Sequence, residues 1–357
     1  MLKCFNLLLD GGKLSFIVPD TFMFLNNHQE LRKTLLVNTK IEEILIFPSK
    51  LFPGISFGYS NLSIITFVKS SKTQSNLDND IRIIQGIKNE SDLVKINKNE
   101  DISNLQTIFL KQRSVLDSPN SSFILNQKAH LIINLKSKKL GDYAYCVTGI
   151  YSGDNKRYLG VLSSSINRKK DYNLIDQVQI DSYSNNLDGN NNIKSYIPIV
   201  KGNGANKYKS FYEEWYINWS TEDFNSYKQF KKARFQNSSY YFKKVIALPM
   251  VKSSKINAVL MNNRVFDQSI VGIFPKDEKM INFLLGFFNS DTFCKMIHYI
   301  NPTANNSANY LKQVPILGDE NIFNKVGSLV SEILLDYSVL EKNQYEINKI
   351  FYDLYGL

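Results

Sequence analysis

The stretch LLLDGGKLSFIVPDTFMF, residues 7–24, decides how the first part of the chain folds. Leu7 to Leu9 end an apolar helix, and Asp10-Gly11-Gly12 predicts a turn because glycine tolerates positive φ. Leu14 to Val18 is a short apolar run of the kind found in buried strands, and Pro19 ends it. This stretch therefore predicts a helix end, a tight turn and a strand of an α/β domain.

The same rhythm continues along the next segments. Residues 28–37 place leucines on one face of a predicted helix, and residues 41–47 and 62–68 predict two further strands. Strand, helix, strand is the order found in parallel sheets covered by helices. Three strands leave a sheet edge uncovered, so we expect another chain or a later segment to pair near residues 13–18.

Composition narrows the class of partner. The chain has 357 residues, a net charge of +10 and 43% hydrophobic residues, which fits a globular protein with a sizeable core. Three separated cysteines and three scattered histidines predict neither a disulfide framework nor a metal site. The absence of a disulfide framework favours a reducing cytoplasm, and we find no membrane-spanning run and no signal-peptide cleavage site. The positive charge favours a polyanionic partner, although a Lys- and Asn-rich composition inherited from an AT-rich genome would also produce it.

The remaining segments differ in character. Residues 70–80 are polar and predict a linker, and residues 81–137 contain no clear motif. Residues 140–318 are rich in aromatics, Asn and Lys, which favours short strands and loops. Residues 321–352 carry apolar side chains at helical spacing and predict two closing helices.

Several segments in order resemble N6-adenine DNA methyltransferases that carry a TaqI-like C-terminal specificity domain, as in type IIG restriction-modification and BREX-type phage-defence enzymes. The segments are LLLDGGKLSFIVPDTFMF (7–24), LRKTLLVNTKIEEILIF (31–47), LFPGISFGYSNLSIITFVKS (51–70), VTGIYSGDNKRYLG (147–160), KGNGANKYKSFYEEWYINW (201–219), SSYYFKKVIALP (238–249), FLLGFFNS (283–290) and INKIFYDLYGL (347–357).

The resemblance implies an α/β plus α+β fold. A partial Rossmann-like methyltransferase sheet, containing the last strands only, would be followed by a mixed α/β target-recognition domain and C-terminal helices. The implied divisions are residues 1–72 for the catalytic-domain fragment, 73–137 for a linker and entry segment, 138–320 for target recognition, and 321–357 for the closing helices.

The departures from the family matter for activity. The family's Asn/Asp-Pro-Pro-Tyr/Phe signature is absent, since Asn301-Pro302 is followed by Thr303. The Gly-rich S-adenosylmethionine loop is also missing, and Lys201 to Gly204 does not fit it because no buried strand leads into it. We therefore expect S-adenosylmethionine for the complete enzyme and no cofactor for this chain alone.

Three readings follow from these departures. In the first, the chain recognises double-stranded DNA for N6-adenine methylation in a restriction-modification or phage-defence system, and a separate chain carries the catalytic half. The others are a stand-alone DNA-binding specificity module and a truncated remnant without activity. RNA binding is a more distant alternative, because no aromatic strand motif for stacking bases is evident.

A flipped adenine must be held outside the duplex by stacking and hydrogen bonds. By resemblance, an aromatic residue before the last strand of the sheet supplies the stack. Phe52 of Leu51-Phe52-Pro53-Gly54 matches that position, and Phe57 is the second candidate. Burial in the core is an equally open reading for Phe52, because most aromatic side chains are simply buried.

Clusters of cations among aromatic residues predict the DNA-contacting surface, through phosphate contacts combined with packing against bases or sugars. Asn155, Arg157, Asn206 and Arg234 are candidates for reading bases. We expect Trp215 and Trp219 to pack in the core. The candidate DNA-binding residues are Asn155, Lys156, Arg157, Lys201, Lys207, Lys209, Lys231, Lys232, Arg234, Lys243 and Lys244.

Overall fold

The chain forms two compact units, residues 1–130 and 131–357. Both mix helices with β-sheets, so the mixed α/β class expected from the sequence is confirmed. The computed structural model describes residues 1–52, 61–126, 132, 135–164, 172–190, 193–202, 206–209, 215–229, 231–251, 256–301 and 306–357.

The first unit is built on a five-stranded mixed sheet with the strand order β1-β3-β2-β4-β5. Strand β3 runs antiparallel to both of its neighbours, so β1 and β2 are parallel to each other on either side of it. Strand β4 is parallel to β2, and β5 is antiparallel to β4. The strands are β1 (Lys13–Pro19), β2 (Thr39–Pro48), β3 (Asn61–Lys69), β4 (Asp80–Gln85) and β5 (Gln106–Lys111).

Helix α2 (Gln29–Asn38) covers one face of this sheet. It buries Leu35 and Leu36, which pack in one cluster with Ile41, Ile44 and other β-branched residues of the strands. The predicted strands at 14–18, 41–47 and 62–68 and the predicted helix at 28–37 are all present. The other helices of this unit are α1 (Leu2–Leu7), α3 (Thr73–Leu77), α4 (Glu90–Asn97) and α5 (Gln112–Asp117).

A buried arginine connects α2 to two distant loops. Arg32 is 1% exposed, and its guanidinium donates hydrogen bonds of 2.7 to 2.9 Å to four backbone carbonyls. Two of these carbonyls belong to Phe22 and Leu25, and two belong to Asn120 and Ser121. The side chain thus satisfies peptide groups that would otherwise lack donors.

Residues 73–117 depart from the predicted linker. Strands β4 and β5 extend the same sheet, so this segment belongs to the first unit rather than to a connection between domains. Gln112 fixes it in place, because its buried amide donates to the carbonyls of Leu36 and Thr39 and accepts from the N–H of Ile41. The polar residues 70–80 that suggested a linker form a loop and the short helix Thr73–Leu77 that lead into β4.

The second unit contains two five-stranded sheets, with the orders β10-β13-β12-β15-β6 and β14-β9-β11-β7-β8. Short strands predominate, as the sequence predicted. The strands are β6 (Ala144–Thr148), β7 (Leu159–Leu162), β8 (Asn173–Ile175), β9 (Tyr196–Val200), β10 (Tyr208–Lys209), β11 (Tyr216–Asn218), β12 (Val245–Pro249), β13 (Val259–Met261), β14 (Val265–Phe266) and β15 (Ile270–Pro275).

An aromatic core joins these two sheets. Trp219 is fully buried, its ring lies 5.1 Å from that of Phe224 and 6.1 Å from that of Phe235, and its Nε1–H donates to the carbonyl of Asn186. Trp215 is partly buried against the same cluster. Rings packed edge to face at these separations add to the energy of burial.

Helices close the second unit at its C-terminal end. The two predicted closing helices are confirmed as the last two of the chain. No helix within the described ranges has the length and apolar character needed to cross a membrane. The helices are α6 (Leu140–Tyr143), α7 (Asn155–Tyr158), α8 (Thr221–Gln229), α9 (Met280–Phe288), α10 (Asp291–Ile300), α11 (Ala308–Lys312), α12 (Glu320–Leu335) and α13 (Leu340–Tyr355).

Candidate nucleic-acid interface

Two segments that are far apart in sequence lie side by side in the second unit. Residues 145–157 and residues 231–244 run antiparallel, and we call the two together the basic strip. At its centre the backbones of Tyr151 and Arg234 exchange two hydrogen bonds, of 3.1 and 2.8 Å. The two segments of the strip are therefore held in a defined register by backbone hydrogen bonds.

Side-chain amides extend this pairing towards one end. The Asn237 Nδ2 donates to the carbonyl of Thr148 at 2.9 Å. The Gln236 Nε2 donates to the Thr148 Oγ1 at 3.2 Å and to the carbonyl of Gly149 at 2.9 Å. Two peptide carbonyls in this part of the strip thus receive hydrogen bonds from side chains.

Two glycines allow the close approach of the segments. A Cβ on Gly149 would collide with the carbonyl of Phe266, so no other residue fits there without movement of the backbone. Gly153 has φ +75°, and a Cβ there would lie 2.9 Å from the backbone of Lys232 and Ala233. Such positions favour glycine because it lacks the clash that a Cβ brings.

The charge of the strip comes mainly from its second segment. Residues 231–244 contain five cations and no acidic residue. All five are exposed, so their charges face solvent rather than the core. Arg234 also donates from Nη2 to the Gln268 Oε1 at 3.1 Å, which restrains its guanidinium. The five are Lys231, Lys232, Arg234, Lys243 and Lys244.

The predicted residues Asn155, Lys156 and Arg157 lie on the short helix α7, at the Gly153 end of the strip. The helix is capped by Asp154, which accepts from the N–H of Arg157. The Arg157 Nη2 lies 3.0 Å from the Asp223 Oδ1, and this hydrogen bond raises the pKa of the guanidinium. The Asn155 Oδ1 accepts from the Ser152 hydroxyl. Arg157 and Asn155 therefore hold the loop as well as facing its surface.

Aromatic rings mark the opposite end of the strip. Tyr145 is 51% exposed, and its ring centroid lies 6.1 Å from that of Tyr240. The Lys276 Nζ lies 5.3 Å from the Tyr145 centroid, and the Lys243 Nζ lies 5.7 Å from the Tyr240 centroid. The sequence reading missed Tyr145 and Lys276. A signal for Tyr145 was available, since it alternates with the buried Cys146 along β6.

Lys207 and Lys209 do not join the strip's two segments but contact the C-terminal helices. The Lys207 Nζ donates to the carbonyl of Asn289, which caps the end of α9, at 2.8 Å. The Lys209 Nζ lies 3.4 Å from the carbonyl of Leu334 in the last turn of α12. Cations are favoured at these ends because helix carbonyls carry partial negative charge there. Both contacts favour a structural role.

Lys201 lies beside the strip in an ion pair. Its Nζ is 3.4 Å from the Asp267 Oδ2, and the two side chains are 19% and 5% exposed. Asp267 precedes Gln268, whose N–H bonds the carbonyl of Ile150 in the strip. Lys201 therefore compensates a buried carboxylate close to the interface. Asn206 is half-buried.

The two candidates for stacking a flipped base lie in the first unit. Phe52 is partly buried and packs with the cluster formed by Phe47, Leu62 and Ile84. That packing favours the core reading of Phe52. Phe57 lies outside the described residues.

The comparisons with known proteins connect the N-terminal residues of the chain with restriction-modification methylases. Residues 1–52 match the Eco57I restriction-modification methylase family. The type II methyltransferase M.HincII of Haemophilus influenzae is 40% identical over 96 residues, which cover 27% of this chain and 16% of that protein. The M.HindII enzyme of a second Haemophilus influenzae strain gives the same identity and coverage. The match thus spans a small part of these relatives.

Solved structures extend the similarity over the whole chain. The type IIL restriction-modification enzyme MmeI, determined with DNA, aligns with 97% of this chain and 47% of its own, at 12% identity and a TM-score of 0.53. The type ISP enzyme LlaGI, with a DNA substrate mimic, aligns with 92% of this chain and 35% of its own, at 12% identity and a TM-score of 0.51. The fold is therefore that of part of these restriction-modification enzymes.

One strand-to-helix turn of the first unit has the general form of an anion-binding loop. Gly86 to Asn89 connects β4 to α4 and is a strand-to-helix turn of the general kind that binds anions. Two of its N–H groups already have partners in the chain, because the Asp92 carboxylate accepts from Lys88 at 2.8 Å and from Asn89 at 3.3 Å. Across the described ranges, no three His, Cys, Asp or Glu side chains are grouped to hold a metal ion.

Proposed function

We propose that this chain is the DNA-recognition part of a restriction-modification DNA methyltransferase, and that its basic strip contacts the duplex. The observation that carries the proposal is the strip itself, in which five exposed cations, with no acidic residue in their own segment, lie among the exposed ring of Tyr145 and the half-buried rings of Tyr151 and Tyr240. Cations that contact phosphates supply a large share of the affinity of DNA-binding proteins, and they position the groups that read the bases.

The length of the strip suits a recognition site. From residue 145 to residue 153 the chain advances eight residues, which extends at most about 27 Å. A duplex rises 3.4 Å per base pair along each strand, so the strip can follow roughly seven or eight base pairs. The backbone pairing of Tyr151 with Arg234 holds its two segments in one register over that distance.

The first unit supports a role in a larger catalytic sheet. Strands β1 and β2 are parallel and are connected through α2, the strand-helix-strand unit of Rossmann-like sheets. Within the described residues, β1 pairs with β3 alone, so its outer edge is open. Leu7, Leu9 and Ile17 beside that edge are 85%, 83% and 45% exposed. Open edges with apolar neighbours are normally covered in native proteins.

We propose that the cover is a strand of the methyltransferase core that carries the cofactor loop and the Asn-Pro-Pro-Tyr motif. The match of residues 1–52 to restriction-modification methylases supports this occupant. The resemblance of the chain to adenine-specific enzymes supports N6 of adenine as the methylated atom. S-adenosylmethionine would bind that core and supply the methyl group, while this chain holds and positions the DNA.

Two measurements test the proposal. Fluorescence anisotropy with a labelled duplex should show binding by the purified chain that weakens steeply with salt. A tagged chain recovered from its native host should bring down a polypeptide with the cofactor loop and the catalytic motif. The recovered complex should transfer labelled methyl groups to adenine N6, and the purified chain should not.

A variant of the open edge sharpens the second measurement. Ile17→Asp places a charge at the proposed joint and should abolish recovery of the catalytic polypeptide without changing DNA binding. Phe109→Asp is the matched control, because Phe109 is 64% exposed on β5 at the opposite edge of the same sheet. Equal recovery with both variants would refute the joint. DNA binding without any catalytic polypeptide would mean a stand-alone specificity module.

A further inference from the structure

We infer that Gln236 is a base-reading residue, and that its carbonyl oxygen accepts a hydrogen bond from the exocyclic amino group of adenine or cytosine in the major groove. This inference rests on the proposed DNA-recognition function and names a specificity-determining residue within it.

The position of Gln236 follows from the alternation of its segment. Phe235 points into the core, where its ring lies 5.2 Å from that of Phe224 and 5.9 Å from that of Tyr241. Neighbouring residues of an extended segment point to opposite sides. Gln236 therefore shares its side with the exposed Arg234, two residues away, and is half-buried rather than enclosed.

The chemistry of its partners fixes the orientation of the Gln236 amide. The carbonyl of Gly149 can only accept, so the NH2 group must face it, and both Nε2 hydrogens are used by Gly149 and the Thr148 hydroxyl. In the described residues, no donor contacts the Oε1. Gln236 is thus left as an acceptor with no donor to offer a base.

The backbone around Gln236 is held as firmly as its side chain. The Tyr241 hydroxyl donates to the carbonyl of Gln236 at 2.7 Å. The next residue, Asn237, has φ +57° and donates to the carbonyl of Thr148. Such fixed geometry is what base discrimination needs, because a polar group already held in place loses little entropy on binding.

An acceptor with no donor selects a subset of bases. In the major groove, adenine N6 and cytosine N4 carry amino donors, while guanine O6 and thymine O4 are acceptors that would face the Gln236 oxygen unfavourably. The exposed cations on both sides of Gln236 would hold the duplex at its phosphates. The structure assigns to this position a preference for adenine or cytosine.

The test begins with the wild-type chain and a pool of randomised duplexes, from which the preferred site is selected. Each adenine or cytosine of that site is then replaced by an analogue that lacks the amino group. At one position the analogue should weaken wild-type binding by roughly 10- to 100-fold. Gln236→Met keeps the length of the side chain but lacks the acceptor. Its affinity for the natural site should be lower than that of wild type by a similar factor, and the analogue should not lower its affinity further.

Two controls separate base reading from disturbance of the strip. Asn237→Gly keeps the positive-φ backbone and removes the neighbouring amide, so sensitivity to the analogue should persist. Asn99→Gly, at φ 54° in the first unit, should change nothing. If the analogue weakens DNA binding by Gln236→Met as much as it weakens binding by wild type, the inference is wrong. Duplex binding without any enriched site would also overturn it, whereas absence of duplex binding would refute the proposed function itself.

Discussion

The guanidinium of Arg234 lies 5.1 Å from the ring centroid of Tyr151, and the backbones of the same two residues are hydrogen-bonded to each other. The side-chain contact stacks a cation on an aromatic face, and the backbone contact sets the register of the basic strip. A planar guanidinium held in this way can present its donors to a phosphate or a guanine edge, which a flexible lysine cannot do equally well.

Arg234→Lys should separate charge from geometry. We expect the lysine variant to keep the salt dependence of duplex binding, because the charge remains, while its affinity for the preferred site falls by roughly tenfold. Arg234→Ala should lower both affinity and salt dependence. Anisotropy titrations at several salt concentrations measure the two quantities together. Equal behaviour of the lysine variant and wild type would mean that only the charge matters.

Removal of two strip lysines should reduce the number of released counterions. For Lys231→Gln/Lys232→Gln, the slope of log affinity against log salt should become less negative by about 1.8, since each phosphate contact contributes about 0.9. Lys72→Gln/Lys98→Gln removes the same charge from exposed positions of the first unit and is the matched control. If both pairs change the slope equally, binding responds to net charge and the strip is not the contact surface.

Lys207 should behave differently from the strip lysines. Lys207→Met removes the donor at the end of α9, so the free energy of unfolding should fall by about 1 kcal/mol. The salt dependence of DNA binding should stay at the wild-type value. Both tryptophans lie in the second unit, so tryptophan fluorescence during urea unfolding follows the stability of that unit. If Lys207→Met instead makes the slope of log affinity against log salt less steep and leaves the free energy of unfolding unchanged, Lys207 belongs to the DNA interface.

Local pattern explains what the sequence could predict about the fold. Strands β1, β2 and β3 and helix α2 follow from runs of β-branched residues, helical spacing and turn residues, all of which act over a few positions. The pairing of β2 with β4 was not visible, because it connects Ile44 to Ile83 through a segment of polar composition. Register between distant strands depends on packing, which a single sequence does not display.

The same limit applies to the candidate interface. The sequence found the cations near residues 156 and 232 but could not show that Gly153 packs on Lys232. Neither could it separate Lys232, which is exposed, from Lys207, which contacts a helix end. Both are lysines in segments rich in aromatic residues, and the difference arises from the end of α9, which Lys207 contacts at Asn289, 82 residues further along the chain.

Arg32 should be essential to the first unit. Arg32→Met leaves four backbone carbonyls, two of them in buried and two in partly buried hydrogen bonds, without their donor, so we expect a loss of stability of about 3 kcal/mol or more. Hydrogen exchange should rise in α2 and in residues 118–123. Arg113→Met is the matched control, because its ion pair with Asp78 is exposed and should contribute little. Unchanged protection in Arg32→Met would show that water replaces the guanidinium without cost.

Asp92 should make the first unit sensitive to acid. Hydrogen bonds from the backbone N–H groups of Lys88 and Asn89 hold the pKa of this carboxyl below its ordinary value of 3.8. A depressed pKa in the folded state stabilises the fold above 3.8, and this contribution is lost as the pH falls through the lower folded value. Asp92→Asn should therefore be less stable than wild type near neutral pH, and the difference should shrink below 3.8. Urea unfolding followed by circular dichroism over this pH range measures the difference.

Asp117→Asn removes one exposed carboxylate of the same unit and controls for net charge. A difference between wild type and Asp92→Asn that stays constant with pH would mean that the charge on Asp92 does not contribute to the stability of the turn before α4.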